Sequence, residues 1–128
     1  MKERIKLTAI FNAHPQTIYD AWLDSDLHSK MTAGEAICSA KVNESFSTWN
    51  GYISGENLAL KPNAEIVQAW RTTEFSETDE DSILTIQLKE IENGTELTLI
   101  HTNIPAGQTQ YEKGWKEHYF EPMKKLFG

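Results

Sequence analysis

The side chains that could do chemistry in this chain are few and scattered. There are four histidines (His14, His28, His101, His118) and a single cysteine, Cys38. No two of them show the short spacing that zinc sites use. His118 and Glu121 form a His-x-x-Glu pair, the reverse of the Glu-x-x-His order in di-iron bundles. Counting 100° per residue puts them about 60° apart, with Glu121 on the charged side of its helix. No metal ligand is assigned. Cys38 reads either as a nucleophile paired with a histidine or as a small buried hydrophobe, the usual role of a lone thiol. A Gly-x-Ser-x-Gly elbow, a phosphate loop and a dinucleotide fingerprint are all missing. No catalytic residue and no cofactor are therefore expected, and the chain is read as a non-enzyme.

His101 and His118 stand out because the pattern places both toward the dry side of the fold, one on a strand and one on a helix. Buried imidazoles need partners. In one reading a tyrosine, a threonine or a backbone carbonyl satisfies each of them. In the other they join Tyr111 or Tyr119 to anchor the polar end of a ligand in an apolar pocket. General acid–base work is a third role that nothing specific requires. Phe46, Trp70, Trp115 and Tyr119 carry the same ambiguity between core and ligand-lining wall.

The element that must position these groups is the last stretch, Gln108 to Phe127. At 100° per residue, Tyr111, Trp115, His118, Tyr119, Pro122 and Leu126 share one stripe, with Met123 at its border. Lys113, Glu117, Glu121, Lys124 and Lys125 face away. Pro122 lacks a backbone N–H and predicts a bend. That bend either follows a curved sheet or gates a cavity mouth.

Before this helix the pattern is mostly strand. Residues 3–11 alternate, with Ile5, Leu7, Ala9 and Phe11 on one side. Pro15 opens a helix whose apolar face is Ile18, Tyr19, Ala21, Trp22 and Leu23. A second short helix covers Leu27 to Thr32 and ends at Gly34. Ala36 to Val42 reads as a weak strand. Asn50-Gly51 predicts a two-residue hairpin that sets Thr48 opposite Ile53 and leaves Phe46 on their face. Gly55 suggests a bulge or bend, Lys61-Pro62-Asn63 a turn, and Glu65 to Thr73 another strand. Asn93-Gly94 predicts a second hairpin, with Leu88 opposite Leu99 and Ile86 opposite His101. Between these strands Glu74 to Asp81 holds five acids, read as a solvated loop or as a cation or docking patch. The order implies an α+β fold: five or six antiparallel strands curling over one long helix, with two short helices after the first strand. Sheet and helix would enclose a cavity.

The totals narrow the partners. A length of 128 residues suits one domain, residues 1–128, with an ordinary 39% hydrophobic and 24% charged content. A net charge of −7 argues against nucleic acid and against an anionic membrane surface. One cysteine fits a reducing compartment, and the absence of a secretion signal makes the expected address cytoplasmic. The two Asn-x-Ser/Thr triplets, at Asn43 and Asn93, are then chance matches. Monomer and dimer are equally compatible with this surface.

Longer motifs say more. Pro15-x-x-Ile18-Tyr19-x-Ala21-Trp22, Gly51-x-x-x-Gly55 and Ile66-Val67-Gln68-Ala69-Trp70-Arg71 are followed by Ile104-Pro105, Gly114-Trp115-x-x-His118-Tyr119-Phe120 and Phe127-Gly128. In this order they resemble the family of activator of heat-shock-protein-90 ATPase homologues across essentially the whole chain. The resemblance implies the helix-grip fold of the steroidogenic-acute-regulatory-protein lipid-transfer and Bet v allergen superfamily. It covers the C-terminal domain of the family's eukaryotic co-chaperones, which carry an additional N-terminal domain. Asn43-Glu44-Ser45 stands where relatives often have paired glycines. Two partners follow as expectations. The first is a small, largely hydrophobic molecule in a cavity lined by Phe46, Trp70, His101, Tyr111, Trp115, His118 and Tyr119. The second is heat-shock protein 90, touched through the acidic loop, the Asn50-Gly51 hairpin or the helix end.

Overall fold

The computed structural model describes residues 3–32 and 34–127. Met1, Lys2, Ala33 and the Gly128 of the last family motif lie outside them. Six antiparallel strands are β1 (Glu3–Phe11), β2 (Ser45–Thr48), β3 (Ile53–Lys61), β4 (Glu65–Thr72), β5 (Ser82–Ile91) and β6 (Gly94–Ile104). They form one sheet in the order β1-β6-β5-β4-β3-β2. Helices α1 (Pro15–Leu23) and α2 (Ser25–Thr32) follow β1. The C-terminal helix comprises α3 (Tyr111–Trp115), a π-helical turn (Lys116–Phe120) and α4 (Glu121–Phe127). Period-two alternation gives each strand one dry face. Leu84, Ile86, Leu88, Leu97 and Leu99 are buried beneath the helices, while Gln87 and Lys89 are exposed. Register shifts in β1 near Ile5 and in β3 at Leu58 add local twist, which helps the sheet curl.

Local chemistry explains the helix starts. Pro15 occupies the first turn of α1, where its missing N–H costs nothing. The Asp24 carboxylate caps α2 by accepting the Leu27 N–H at 2.9 Å. Turns use left-handed asparagines: Asn50, Asn63 and Asn93 have φ of 57°, 63° and 66°. Asn43 adopts the same region at φ 69°.

Several expectations are corrected. Ala36 to Val42 is not a strand and retains only an isolated bridge between Ile37 and Ser47. Its backbone bonds go to side chains instead. Ser25 Oγ accepts the Cys38 N–H at 2.8 Å, and buried Asn57 donates to the carbonyls of Ser39 and Lys41 at 2.8 and 3.0 Å. Gly55 does not bend β3; the bulge lies at Leu58. Gly55 instead lets β4 approach, since a Cβ there would lie 1.8 Å from the Ala69 carbonyl oxygen. The second hairpin turns one residue earlier than expected. Ile91 pairs with Gly94, so Leu88 faces Leu97 and Leu84 faces His101. Gly94 belongs to the strand because a Cβ would meet the Phe11 carbonyl oxygen at 2.2 Å. The shift is even-numbered, so every side chain keeps its face. The first hairpin has its expected register, Thr48 opposite Ile53.

The C-terminal helix starts at Tyr111 rather than Gln108, and its buried stripe drifts. Tyr111, Trp115, Tyr119, Phe120 and Met123 are buried, while His118 and Leu126 are exposed. The cause is the π turn, in which the Glu121 N–H reaches the Lys116 carbonyl. A wider turn advances less per residue, so the dry stripe falls one position later than an α-helical count gives. This turn immediately precedes Pro122, whose ring would crowd the carbonyl four residues back in a regular helix.

Substituting Gly55→Ala would push a methyl into the β4 backbone. A urea melt should show a loss of about 2 kcal/mol or more, whereas Gly51→Asn, with open space around it but a φ of 91°, should cost less, because asparagine is among the side chains that tolerate left-handed backbone.

Candidate functional site

The C-terminal helix is bound to the body of the fold by two buried imidazoles. His101, on β6, accepts the Trp115 indole N–H on Nδ1 at 3.1 Å. An indole can only donate, so the His101 proton sits on Nε2. That nitrogen donates to Ser82 Oγ at 2.7 Å, and the Ser82 hydroxyl donates in turn to the Trp70 carbonyl at 2.7 Å. His28, on α2, donates from Nδ1 to the Trp22 carbonyl at 2.8 Å and accepts from the Tyr119 hydroxyl on Nε2 at 3.0 Å. Both rings are neutral with both nitrogens occupied. Burial lowers the pKa of His101 to about 3. The same desolvation lowers His28 to about 4, opposed in part by its bond to the Trp22 carbonyl.

Around these imidazoles the aromatic side chains form one connected cluster. The Trp70 ring lies 4.5 Å from His101, 5.3 Å from Tyr111 and 5.5 Å from Trp115. Trp115 lies 4.8 Å from Tyr119, and Trp22 lies 5.1 Å from Tyr119. A buried polar chain extends behind it. The Trp22 indole donates to Gln68 at 3.2 Å, and Gln68 donates to Asn57 at 2.8 Å. No buried polar side-chain atom lacks a partner among the described residues.

Between this cluster and the first hairpin lies a groove of about 580 Å³. Trp70, Tyr111, Trp115 and Tyr119 form its inner wall, and Trp49, Tyr52 and Ile53 the hairpin side. Lys113, Glu117 and His118 stand at the rim. Trp49 has φ 53°, an uncommon conformation for so bulky a residue, and its ring sits 5.3 Å from that of His118.

Of the seven side chains expected in a cavity, five therefore line the groove: Trp70, Tyr111, Trp115, His118 and Tyr119. His118 does so from the wet rim, not from the dry side, because the π turn rotates it outward. Phe46 is buried in the core under Gly55, and His101 lies behind Trp115 with both nitrogens engaged. The sequence reading missed His28, Trp49, Tyr52, Gly114 and Glu117. Gly114 carried a signal, as a glycine in a helix interior where it weakens the helix. His28 carried none, since its partner Tyr119 lies 91 residues away.

Elsewhere the chemistry is quiet. Burial, then the nearby Asp24 carboxylate, pushes the Cys38 thiol up to about 11, which disfavours the reactive thiolate. The acidic loop folds back on Arg71, which donates to Asp81 at 2.7 Å and to the Ser76 carbonyl at 2.9 Å. Among the described residues no group of three or more acids, histidines or cysteines is placed to hold a metal ion. No helix among them is long and apolar enough to cross a membrane.

Comparison with known proteins gives the arrangement a family. Residues 12–128 match the family described as activator of Hsp90 ATPase homolog 1-like protein. The chain belongs to this family. The human activator of 90 kDa heat shock protein ATPase homolog 1 is 33% identical, with 98% of this chain and 37% of the human protein aligned. A Dictyostelium discoideum activator homologue is 26% identical over 96% of this chain and 32% of its own length. The chain thus spans well under half of these relatives. Among solved structures, an HSP90 activator from Plasmodium falciparum matches with TM-score 0.89 and 24% identity, covering 96% of this chain and 94% of that one. The Aha1 dimer from Colwellia psychrerythraea matches with TM-score 0.81 and 18% identity, covering 98% and 96%. These two likenesses establish that the family member has the helix-grip fold: a curved antiparallel sheet around a C-terminal helix.

The two neutral imidazoles make stability pH-dependent. Their folded pKa values lie below the ordinary 6.5, so the unfolded chain takes up protons first as pH falls. Stability should be intact above about pH 6.5 and decline toward pH 4, by about 2 kcal/mol per histidine at pH 5. Denaturant melts at several pH values would measure this, and His101→Gln should remove one proton's worth of the slope. Trp115→Ala, which empties a buried site and unpairs His101, should cost about 3–5 kcal/mol in the same melts.

Proposed function

We propose that this chain is a non-catalytic module that binds heat-shock protein 90 and stimulates its ATPase. The observation that carries the reading is the 33% identity to the human activator across 98% of this chain. A cytoplasmic address follows from such a partner. The engaged state of His101 and His28 supports a non-enzymatic role, because neither imidazole has a nitrogen to offer a substrate. Contact would be made through the surface. The exposed acids of the loop after β4, Glu77 and Glu80 among them, are the first candidates, and surface charge tunes association rate and salt dependence.

A second reading rests on the groove. Its volume of about 580 Å³ and its aromatic inner wall suit a small, largely apolar ligand. The two readings are compatible, because one uses the surface and the other the space beneath the helix.

Purified heat-shock protein 90 should hydrolyse ATP faster in the presence of this chain. The double charge reversal Glu77→Lys with Glu80→Lys should reduce the effect, more so at low salt, without lowering the melting temperature. A chaperone whose turnover and sedimentation are unchanged by excess chain would sink the co-chaperone reading.

A further inference from the structure

The groove wall contains a position that helix stability does not explain. Gly114 lies inside the C-terminal helix, where glycine is a poor choice. Nothing occupies the space within 4 Å of where its Cβ would stand, so no neighbour demands its small size. What that missing side chain leaves open is the groove, which Gly114 lines.

A second observation concerns the polar atoms of the inner wall. Trp115 donates to His101, Tyr119 to His28, and Tyr111 to Gln108 at 2.6 Å. The Trp70 side chain is only 3% exposed, yet its indole N–H has no hydrogen-bond partner among the described residues. No fully buried polar side-chain atom is orphaned among the described residues, and Trp70 lines the groove. The inner wall therefore presents mostly aromatic carbon. At the rim, Lys113 sits 3.7 Å from Glu117, and the two charges offset each other.

We propose that the groove binds an uncharged planar aromatic molecule carrying a hydrogen-bond acceptor, its ring seated against the bare helix at Gly114 and its acceptor on the Trp70 indole N–H. This deepens the ligand reading above and rests on it. Ring edges and faces gain from edge-to-face contact with Trp70, Trp115 and Tyr119 beyond the area they bury. An alkyl chain gains only the area, and Ile53 is the one aliphatic side chain on the wall. An indole N–H left dry beneath a ligand without an acceptor would lose its water, which sets the requirement for the polar atom.

Three uncharged probes test this: methyl naphthyl ketone, its hydrocarbon analogue ethylnaphthalene, and the aliphatic ketone dodecanone. Affinities come from tryptophan fluorescence titration. The aromatic ketone should bind about tenfold more tightly than either comparator, the scale of one hydrogen bond or one set of ring contacts. Gly114→Ala should raise the melting temperature and yet weaken the aromatic ketone about tenfold or more. Trp70→Phe should erase the preference for ketone over hydrocarbon. If Trp70→Phe does not fold, the Gly114→Ala comparison decides. Equal binding of all three probes would overturn the aromatic, acceptor-bearing class while leaving a ligand groove in place. Gly114→Ala with unchanged affinity would overturn the seat. Failure of every probe to bind would remove the groove reading and this inference together, leaving chaperone stimulation unaffected.

Discussion

The hydrogen bond from the Trp115 indole to His101 Nδ1, 3.1 Å long and buried, ties the C-terminal helix to the middle of the sheet. It sets the tautomer of His101, which in turn fixes the direction of the Ser82 hydroxyl toward the Trp70 carbonyl. In a low-dielectric interior such a chain is strong when complete and costly when any member is missing. His28 repeats the device for Tyr119 from the opposite side, through α2. The helix is thus held by directional bonds at successive turns as well as by apolar area. Its aromatic side chains stand at defined angles, and the groove has a wall of fixed shape.

The same two bonds explain how one helix can sit over a wide curved sheet without closing on it everywhere. Trp115 and Tyr119 point into the body of the fold, and α1 and α2 cover one flank. On the other flank the Trp49–Tyr52 turn stands off from the helix, and Gly114 contributes no side chain. The π turn adjusts the helix ahead of Pro122 and swings His118 to the rim beside Trp49. The groove and the imidazole anchors are therefore two sides of one arrangement.

Much of the fold was legible in the chain. Alternation in β1, β5 and β6 gave the dry faces, because side-chain period in a strand is set by the backbone alone. Asn50-Gly51 set the first hairpin because its turn needs left-handed residues that few side chains tolerate. The second hairpin failed by a two-residue register because Asn93-Gly94 satisfied the same local rule. There a distant strand decided: Phe11 in β1 needed Gly94 as its neighbour. Ala36 to Val42 failed similarly, since Asn57 captured its carbonyls from 16 and 18 residues away.

By itself, the sequence determined the kind of fold, the family, the amphipathic C-terminal helix and the aromatic character of its inner face. Each of these depends on residue types and periods that local backbone geometry reads directly. Tertiary structure alone decided which aromatics line open space and which fill the core, since Phe46 and Trp70 are both buried aromatics of the same sheet, on strands that flank β3. It also decided that His101 and His28 are neutral anchors and that His118 is not one of them. Burial and partnership are properties of a pair, and the partners of these residues lie 14 and 91 positions away. A one-residue change in helical pitch, invisible to a fixed 100° count, was enough to move His118 from the dry face to the rim.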